Sequence, residues 1–467
     1  MHDFIHTIFY LLKSVVGLAA LAAALGGLAA VLCYKLRKRP VSWGKAIAFA
    51  LLCGWLTAML GLTLRRMGIG GIGTGGCNFH LFRAFREAWN QFSLQIWLNP
   101  LLNTAMFMPF GALLPLLWRP FRRWYAALAA GLGLSLAVEI VQYAAALGLA
   151  DVDDLFCNAL GTMLGWCLCR MVLYLIDKKP AFAGACAVLP ALTAMALIGT
   201  FAAYYLKPYG ILADAPVYDA DLSGAAWTLD CELPHVGETA GVYHLGAYDR
   251  AACDAFAYDF ARRLGVDTES CPPDYYFDVD YYDGTSIYSN HSDFYLAVEL
   301  ADRSFRYDKY RHNARRGELS EAALREGLAA FGVEAPDRVT FEYEGDGWHK
   351  FEAAGDVKGN TLSTGTLRCR VTDAGEITEI ENSLAVCDLA KEEAVLSPEE
   401  AYQRLQKGRC SNNEYLEYWA KEYAQNDIRV TSCALEYRAD TKGFYQPVYA
   451  FTMENLGFDS VYVPALK

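Results

Sequence analysis

The sequence predicts an α-helical polytopic membrane domain of about six spans, followed by an α+β soluble domain with an antiparallel sheet. Three observations predict this fold class. Six apolar stretches lie in residues 1–206, each long enough to cross a bilayer, which needs about 20 helical residues. The composition becomes polar and rich in tyrosine after Lys207. The charge changes at the same point: residues 1–206 hold 16 Lys and Arg against 7 Asp and Glu, whereas residues 207–467 hold 25 against 46.

The apolar stretches must be helices, because a single helix satisfies its own backbone hydrogen bonds in lipid. The predicted spans are Ser14–Tyr34, Lys45–Leu64, Ile96–Leu117, Tyr125–Leu147, Leu155–Ile176 and Phe182–Leu206. The charged run Lys35–Arg39 directly follows the first span, which argues against a cleaved signal peptide. Residues 1–206 are therefore predicted to form one membrane domain, in which residues 182–206 are an extra terminal span.

Basic residues in the links predict how this domain is oriented, because Lys and Arg favour the cytoplasmic side. They cluster at Lys35–Lys45, at Arg119–Arg123 and at Lys178–Lys179, whereas the link after the fourth span carries Asp151, Asp153 and Asp154. Both termini and the acidic half are then predicted to be extracytoplasmic. The link 65–95 is basic and would also lie outside, with an interfacial amphipathic helix around Leu81–Phe92.

Polar side chains recur at helical spacing on the third, fourth and fifth spans. They are Asn99 and Asn103 on the third span, Ser135, Glu139 and Gln142 on the fourth, and Asp154 and Asn158 on the fifth. Glu139 lies near the middle of its predicted span, where a charged carboxylate costs on the order of 2.5–3.5 kcal/mol to insert. It must therefore be protonated, paired or lined by water. The stripes predict one polar pocket, which opens near the loop that carries Asp151 and Asp153.

Each polar residue also has a purely structural interpretation. The two asparagines are equally consistent with hydrogen bonds between helices, and Asp154 with a cap on the fifth span. Gly161 and Gly165 favour close helix packing rather than function. Pro109 and Gly111 are expected to break the regular pattern of the third span and to serve in packing.

Three sequence blocks in order resemble the VanZ-like membrane proteins of bacteria. They are NTAMFMPFGALLP (Asn103–Pro115), SLAVEIVQ (Ser135–Gln142) and DVDDLFCNALGTMLG (Asp151–Gly165). The resemblance implies a VanZ-like core at about residues 45–178 and an association with resistance to the glycopeptide teicoplanin. Family members often place an Arg just before the Asp-rich loop, and this sequence has none there.

The residue types in the predicted pocket allow head-group binding, proton transfer or hydrolysis of a lipid-linked substrate. The sequence contains no Gly-x-Ser-x-Gly, His-Glu-x-x-His or phosphate-loop motif, so binding is favoured over catalysis. All eight histidines lie outside the spans, and the acidic run Asp278–Gly284 departs from the spacing of a calcium loop. We therefore expect neither a metal site nor a cofactor, and the acidic half excludes nucleic acid as a partner.

The acidic half, residues 211–467, combines strand-like and helical patterns. Strands are predicted at Tyr275–Tyr282, Phe294–Leu300, Val339–Tyr343, Thr366–Val371, Ile428–Tyr437 and Val448–Thr452. Helices are predicted at Ser320–Phe331 and from Ser397 to Gly408, where Ser397 and Glu400 form a capping box. Residues 320–382 and 397–463 resemble PepSY-type units, which implies binding or sensing outside the cell.

The sequence thus predicts a bacterial cell-envelope protein whose partners are membrane lipids and a lipid-linked cell-wall precursor or a glycopeptide. The predicted ligand-binding residues are Asn103, Ser135, Glu139, Gln142, Asp151, Asp153, Asp154 and Asn158. Two alternatives remain open: an enzyme that acts on a lipid or isoprenoid, and an envelope sensor that uses the C-terminal domain. The sequence does not specify the oligomeric state.

Overall fold

The structure is a computed structural model, in which the chain divides into two compact units. Unit 1 is Met1–Trp89 with Leu94–Lys207, and unit 2 is Asn90–Ser93 with Pro208–Lys467. The described residues are 2–66, 76–92, 94–144, 149–212, 215–235, 237, 239–245, 250–268, 278–281, 286–291, 293–299, 303–310, 315–336, 339–422, 427–454 and 460–467.

Unit 1 is built from long apolar helices. Its helices are α1 (His2–Leu36), α2 (Trp43–Arg66), α3 (Arg83–Gln91), α4 (Leu94–Leu117), α5 (Trp124–Ala144), α6 (Val152–Ile176) and α7 (Pro180–Leu206). Two short strands, β1 (Gly76–Asn78) and β2 (Leu149–Asp151), pair in parallel. Six of the described helices, all except α3, are long and apolar enough to cross a membrane. The protein is therefore a multi-pass membrane protein, as predicted, and α3 forms where the amphipathic helix was expected.

One expectation about the spans was wrong. α4 continues unbroken through Pro100, Pro109 and Pro115, so Pro109 and Gly111 do not interrupt it. Prolines are tolerated in membrane helices because neighbouring groups can satisfy the carbonyls that they leave free. The described part of α5 is Trp124–Ala144, and residues 145–148, on which the predicted end of the fourth span falls, lie outside the described part of the chain.

Glycines let α4 and α6 approach each other closely. A Cβ on Gly161 would lie 2.0 Å from the Thr104 carbonyl oxygen, and one on Gly165 would lie 1.9 Å from the Met108 carbonyl oxygen. Gly111 on α4 is as tightly placed against the Thr162 carbonyl oxygen, at 1.9 Å. No side chain fits at these distances, so the two helices touch backbone to backbone.

Unit 2 is a large sheet covered by helices. Its helices are α8 (Arg250–Arg263), α9 (Glu321–Ala330), α10 (Pro398–Gln406) and α11 (Asn413–Glu422). Its strands are β3 (Ala226–Leu229), β4 (Thr239–His244), β5 (Asp278–Tyr281), β6 (Ser286–Asn290), β7 (Phe294–Glu299), β8 (Phe305–Lys309), β9 (Thr340–Gly345), β10 (Trp348–Lys358), β11 (Thr361–Val371), β12 (Ile377–Asn382), β13 (Ala385–Ala394), β14 (Asp427–Ala439), β15 (Phe444–Glu454) and β16 (Ser460–Pro464).

The strand order is β3-β14-β15-β4-β13-β11-β12-β8-β7-β6-β5, with β16 beside β15, β10 beside β11 and β9 beside β10. Among the described strands of unit 2, all pairs are antiparallel except β3 with β14. The sheet is therefore mixed but mostly antiparallel, which agrees with the predicted fold class. β5 falls within the predicted strand Tyr275–Tyr282 and occupies the start of the acidic run Asp278–Gly284; residues 275–277 and 282–285 lie outside the described range.

Among the described residues of unit 2, two hydrophobic cores lie between helices and part of the sheet, and a smaller one lies on β4, β11, β13 and β15. Of the two larger cores, one packs α8 and α9 on β7, β8 and β10 to β12, and the other packs α10 and α11 on β14 to β16. β11 links the two parts because its residues Leu367–Val371 pair with β12 while Thr361–Thr364 pair with β13. Gly365 lies between these segments at φ +95°, where a Cβ would be 2.0 Å from the Ser383 carbonyl oxygen.

In unit 2, the helices that were predicted from capping residues are present. Ser397 and Glu400 form the predicted capping box at the start of α10, and Ser320 caps α9. A tight turn around Asp346 joins β9 to β10. α8 and α11 were not predicted.

The chain enters unit 2 through a carboxylate clamp. Asp440 is 1% exposed and accepts hydrogen bonds from the backbone N–H groups of Gly210 (2.6 Å), Lys442 (2.7 Å) and Phe444 (3.0 Å). The Gln446 amide also donates to it, at 2.5 Å. One buried side chain thus fixes the segment after Lys207 against the β14–β15 turn.

We expect Gly161→Ala to destabilise unit 1 by about 1–3 kcal/mol or more, because α4 and α6 must separate to admit the methyl group. The measurement is the thermal unfolding midpoint of the detergent-purified full-length protein. Gly133→Ala on α5 is the control, since a Cβ there meets nothing within 4 Å. Equal midpoints for the two variants would contradict the backbone contact.

We expect Asp440→Ala to destabilise unit 2 by about 3 kcal/mol, because buried donors lose a charged acceptor. Hydrogen exchange of the amides at 210–212 and 442–444 in the full-length protein measures this loss. Asp219→Ala is the control: its carboxylate pairs with Arg409 on the surface, and such pairs contribute less than about 1 kcal/mol. Unchanged protection at Gly210 in Asp440→Ala would argue against the clamp.

Candidate functional site at the start of the fifth span

The polar residues predicted from the sequence gather around the first turns of α6, the fifth span. Asp151 is the N-cap of α6, and its side chain accepts from the Asp153 N–H at 2.8 Å. An N-cap carboxylate satisfies an otherwise free helix amide and interacts favourably with the positive end of the helix dipole. Of the two interpretations left open for Asp154, the N-cap position belongs to Asp151 instead, and Asp154 lies inside the first turn.

Asp153 is directed towards α3 rather than towards the neighbouring spans. It is 1% exposed, and its two carboxylate oxygens accept from the backbone N–H of Phe82 at 2.5 Å and of Ala84 at 2.7 Å. Phe82 has a φ of +68°, a left-handed conformation that is costly for a side chain of this size. The bonds from Asp153 thus compensate for backbone strain at the start of α3.

Asp151 joins the same link to α6 by a second route. The Asn78 amide donates to the Asp151 carboxylate at 3.1 Å, and Asn78 in turn accepts from the His80 N–H at 3.1 Å. Because β1 pairs with β2, the described part of the link is held to α6 by both backbone and side-chain bonds. Asp151 and Asp153 therefore have structural contacts in this position, in addition to any contact with a ligand.

Glu139 lies level with the beginning of α6. The side chain is buried, and its Oε2 accepts from the backbone N–H of Asp151, the N-cap of α6, at 3.2 Å. The predicted end of the fourth span at Leu147 falls on residues 145–148, which lie outside the described part of the chain.

The remaining residues connect three spans. Asn158 donates from its side-chain amide to the Ser135 hydroxyl at 2.9 Å, and both residues are buried. Asn103 on α4 donates to the Asp154 carboxylate on α6. Asn99, one turn earlier on α4, is exposed.

We refer to six of these residues together as the polar cluster. It consists of Asn103, Ser135, Glu139, Gln142, Asp154 and Asn158. Two of its oxygens, Asn158 Oδ1 and Gln142 Oε1, are buried without a hydrogen-bond partner in the structure. Buried polar atoms are rarely left without a partner, so these acceptors mark a place where a donor is expected.

Electrostatics in the polar cluster are dominated by carboxylates. Asp154 and Asp151 both act on Glu139 by like-charge repulsion. Within the described part of the chain, Glu139 forms no ion pair with a basic side chain, and no group of three or more His, Cys, Asp and Glu has the arrangement to hold a metal ion. The arrangement favours binding of a hydrogen-bond donor.

Sequence reasoning missed the contribution of residues 78–84. Their contacts with Asp151 and Asp153 join positions about 70 residues apart, for which no periodicity in the sequence gives a signal. The one available indication was the predicted amphipathic helix, whose start needed a cap from elsewhere in the chain.

The fold and the polar cluster define a multi-pass membrane protein with buried polar groups at the beginning of one span. Residues 47–174, about a quarter of the chain, match the family model described as VanZ/LLP1. The membrane core is therefore VanZ-like, and the match spans α2 to α6 together with all of the polar cluster. Neither the curated proteins nor the solved structures gave a significant match.

We expect Asp153→Ala to free the start of α3, because two backbone donors lose their charged acceptor. Hydrogen exchange of the amides at 82 and 84 should become at least about tenfold faster, as expected for the loss of 1.5–3 kcal/mol. Asp177→Ala, at the other end of α6, removes a carboxylate without affecting this contact. Equal exchange in the two variants would show that Asp153 does not hold the link.

Proposed function

We propose that this protein binds a lipid-linked ligand of the bacterial cell envelope, with the polar cluster contacting the ligand's polar head group. The observation that carries the proposal is the pair of buried acceptors, Asn158 Oδ1 and Gln142 Oε1, which have no partner beside a buried carboxylate. Polar and ionisable groups inside a membrane are costly, so they are typically retained for function.

The surroundings of the cluster favour a ligand that arrives through the bilayer. On α5, Ile140, Val141 and Tyr143 flank the cluster and are exposed, which in a membrane means contact with lipid. Glu139 and Gln142 lie on the same helix and within one turn of these residues. A lipid-linked molecule can therefore reach the cluster laterally.

The resemblance to VanZ-like proteins supports a more specific ligand: a lipid-linked cell-wall precursor, or the glycopeptide that binds it. The family model covers the whole cluster. Binding at the cluster would change how a teicoplanin-like drug engages the cell surface, and this accounts for a resistance role without catalysis.

Link charges favour an orientation with the C-terminal unit outside the cytoplasm. The links after α1, α4 and α6 are basic, whereas the acidic run from Asp151 to Asp154 lies at the α5–α6 connection. Arg65, Arg66, Arg83 and Arg86 are exceptions, since they fall on the side proposed to be external. The polar cluster then lies at the external end of the membrane unit.

A sensor is the second candidate, favoured by the two helix-on-sheet cores in unit 2. This repeated arrangement is compatible with the proposed PepSY-like units at 320–382 and 397–463. In that case unit 2 binds an envelope ligand, and deletion of residues 211–467 changes regulation while the membrane unit still assembles.

We expect a strain that expresses the wild type to need at least about fourfold more of a teicoplanin-like glycopeptide for growth inhibition than a strain without it, and Glu139→Gln to abolish that difference. The isosteric amide keeps the size of the side chain but removes the charge that the ligand is proposed to contact. Expression of each variant in the membrane fraction is measured in parallel.

Glu87→Gln on α3 is the matched control, because it removes an exposed carboxylate of the same type outside the cluster. A 1–206 truncation separates the contribution of unit 2. If the wild type gives no shift, or if the Glu139 and Glu87 variants behave alike, the glycopeptide proposal fails.

A further inference from the structure

The buried atoms of the polar cluster that lack a hydrogen-bond partner are both acceptors. They are the amide oxygens Asn158 Oδ1 and Gln142 Oε1. The Asn158 amide donates one of its two N–H groups to Ser135, and the Asn103 amide donates one of its two to Asp154. A ligand that satisfies the two oxygens must therefore supply N–H or O–H donors.

The negative charge of the polar cluster further restricts which hydrogen-bond donor the ligand carries. Glu139 is buried and repelled by two neighbouring aspartates, and its one hydrogen bond in the structure comes from a neutral backbone amide. A buried carboxylate is costly unless a cation or several donors compensate it. Since no basic side chain of the described chain pairs with Glu139, the ligand is the natural source of positive charge.

Several observations favour an organic cation over a metal ion. Among the described residues, no carboxylate, cysteine and histidine group has a metal-binding arrangement. The two amide oxygens and the carboxylate are separate acceptors, which match the three N–H donors of a primary ammonium group. Charge-assisted bonds of this kind are about twice as strong as neutral ones.

The depth of the cluster indicates what carries the ammonium group. Glu139 accepts a hydrogen bond from the N-cap of α6, where that span begins, and this places it close to the boundary where phospholipid head groups begin. The exposed apolar neighbours on α5 suit acyl chains. We infer that the polar cluster recognises a primary ammonium group on a lipid head group, of the phosphatidylethanolamine type. This inference rests on the proposed function, because it names the chemistry of the head group bound there.

The test measures which lipids the full-length protein retains from mixed micelles with equal amounts of phosphatidylethanolamine, phosphatidylcholine and phosphatidylglycerol. Native mass spectrometry counts each bound lipid. Phosphatidylcholine keeps the positive charge but has no N–H donor, whereas phosphatidylglycerol has hydroxyl donors but no positive charge. We expect the wild type to retain phosphatidylethanolamine about tenfold over either, because one charge-assisted bond is worth at least that factor.

Two variants of the polar cluster, with Glu87→Gln as their control, identify the cluster as the binding site. Glu139→Gln should reduce the preference for phosphatidylethanolamine to less than about threefold, while Glu87→Gln should keep it. Gln142→Leu removes an oxygen that has no partner, so it should lower phosphatidylethanolamine retention without lowering the thermal unfolding midpoint. The Gln142→Leu variant decides the question if Glu139→Gln fails to fold.

The possible failures are distinguishable. Retention that depends on Glu139 but favours phosphatidylcholine or phosphatidylglycerol overturns the ammonium inference and leaves the proposed function standing. Equal retention by wild type, Glu139→Gln and Gln142→Leu overturns both. Displacement of the bound lipid by soluble O-phosphoethanolamine as effectively as by the lipid itself overturns the assignment to a lipid head group.

Discussion

Polar groups at membrane depth need hydrogen-bond partners that the lipid chains cannot supply, and the rest of unit 1 depends on how α4 and α6 meet this constraint. Their glycine contacts bring backbone against backbone, so that short side chains can reach across from helix to helix. Asn103 then meets Asp154 from one side, and Ser135 meets Asn158 from the other. The close approach of the helices lets these polar groups bond to one another in the hydrocarbon, and it also fixes their geometry.

The three aspartates at the start of α6 divide their work. Asp151 caps the helix and Asp153 holds the start of α3, whereas Asp154 takes part in the polar cluster. The three acids lie within four residues of one another in the sequence, but their side chains thus contact three different neighbours. This division separates groups that shape the site from groups that are available to a ligand, and the unpartnered oxygens of Asn158 and Gln142 belong to the second kind.

Much of the fold could be predicted because it follows from local physics. Hydropathy located the six spans, and capping chemistry located α10 within a residue or two. The depth of Glu139 was less predictable, because hydropathy does not show that its side chain is bonded to the beginning of α6. The bonds that Phe82 and Ala84 donate to Asp153 could not be predicted, because their sequence separation carries no periodic signal. Pairing of distant strands into one sheet was hidden for the same reason. The functional role of the cluster and the PepSY likeness stay predictions.

β11 makes the two parts of the sheet in unit 2 depend on each other. Its two segments complete the backbone pairing of both parts of the sheet, and the conformation of Gly365 allows the strand to pass from one to the other. A polypeptide cut off after β12 would leave the Thr361–Thr364 segment without β13 and would expose a row of free amides and carbonyls. Such an edge is a template for aggregation. Premature termination in this half would therefore yield an aggregation-prone fragment rather than a shorter folded domain, and degradation by quality-control proteases would be its expected fate.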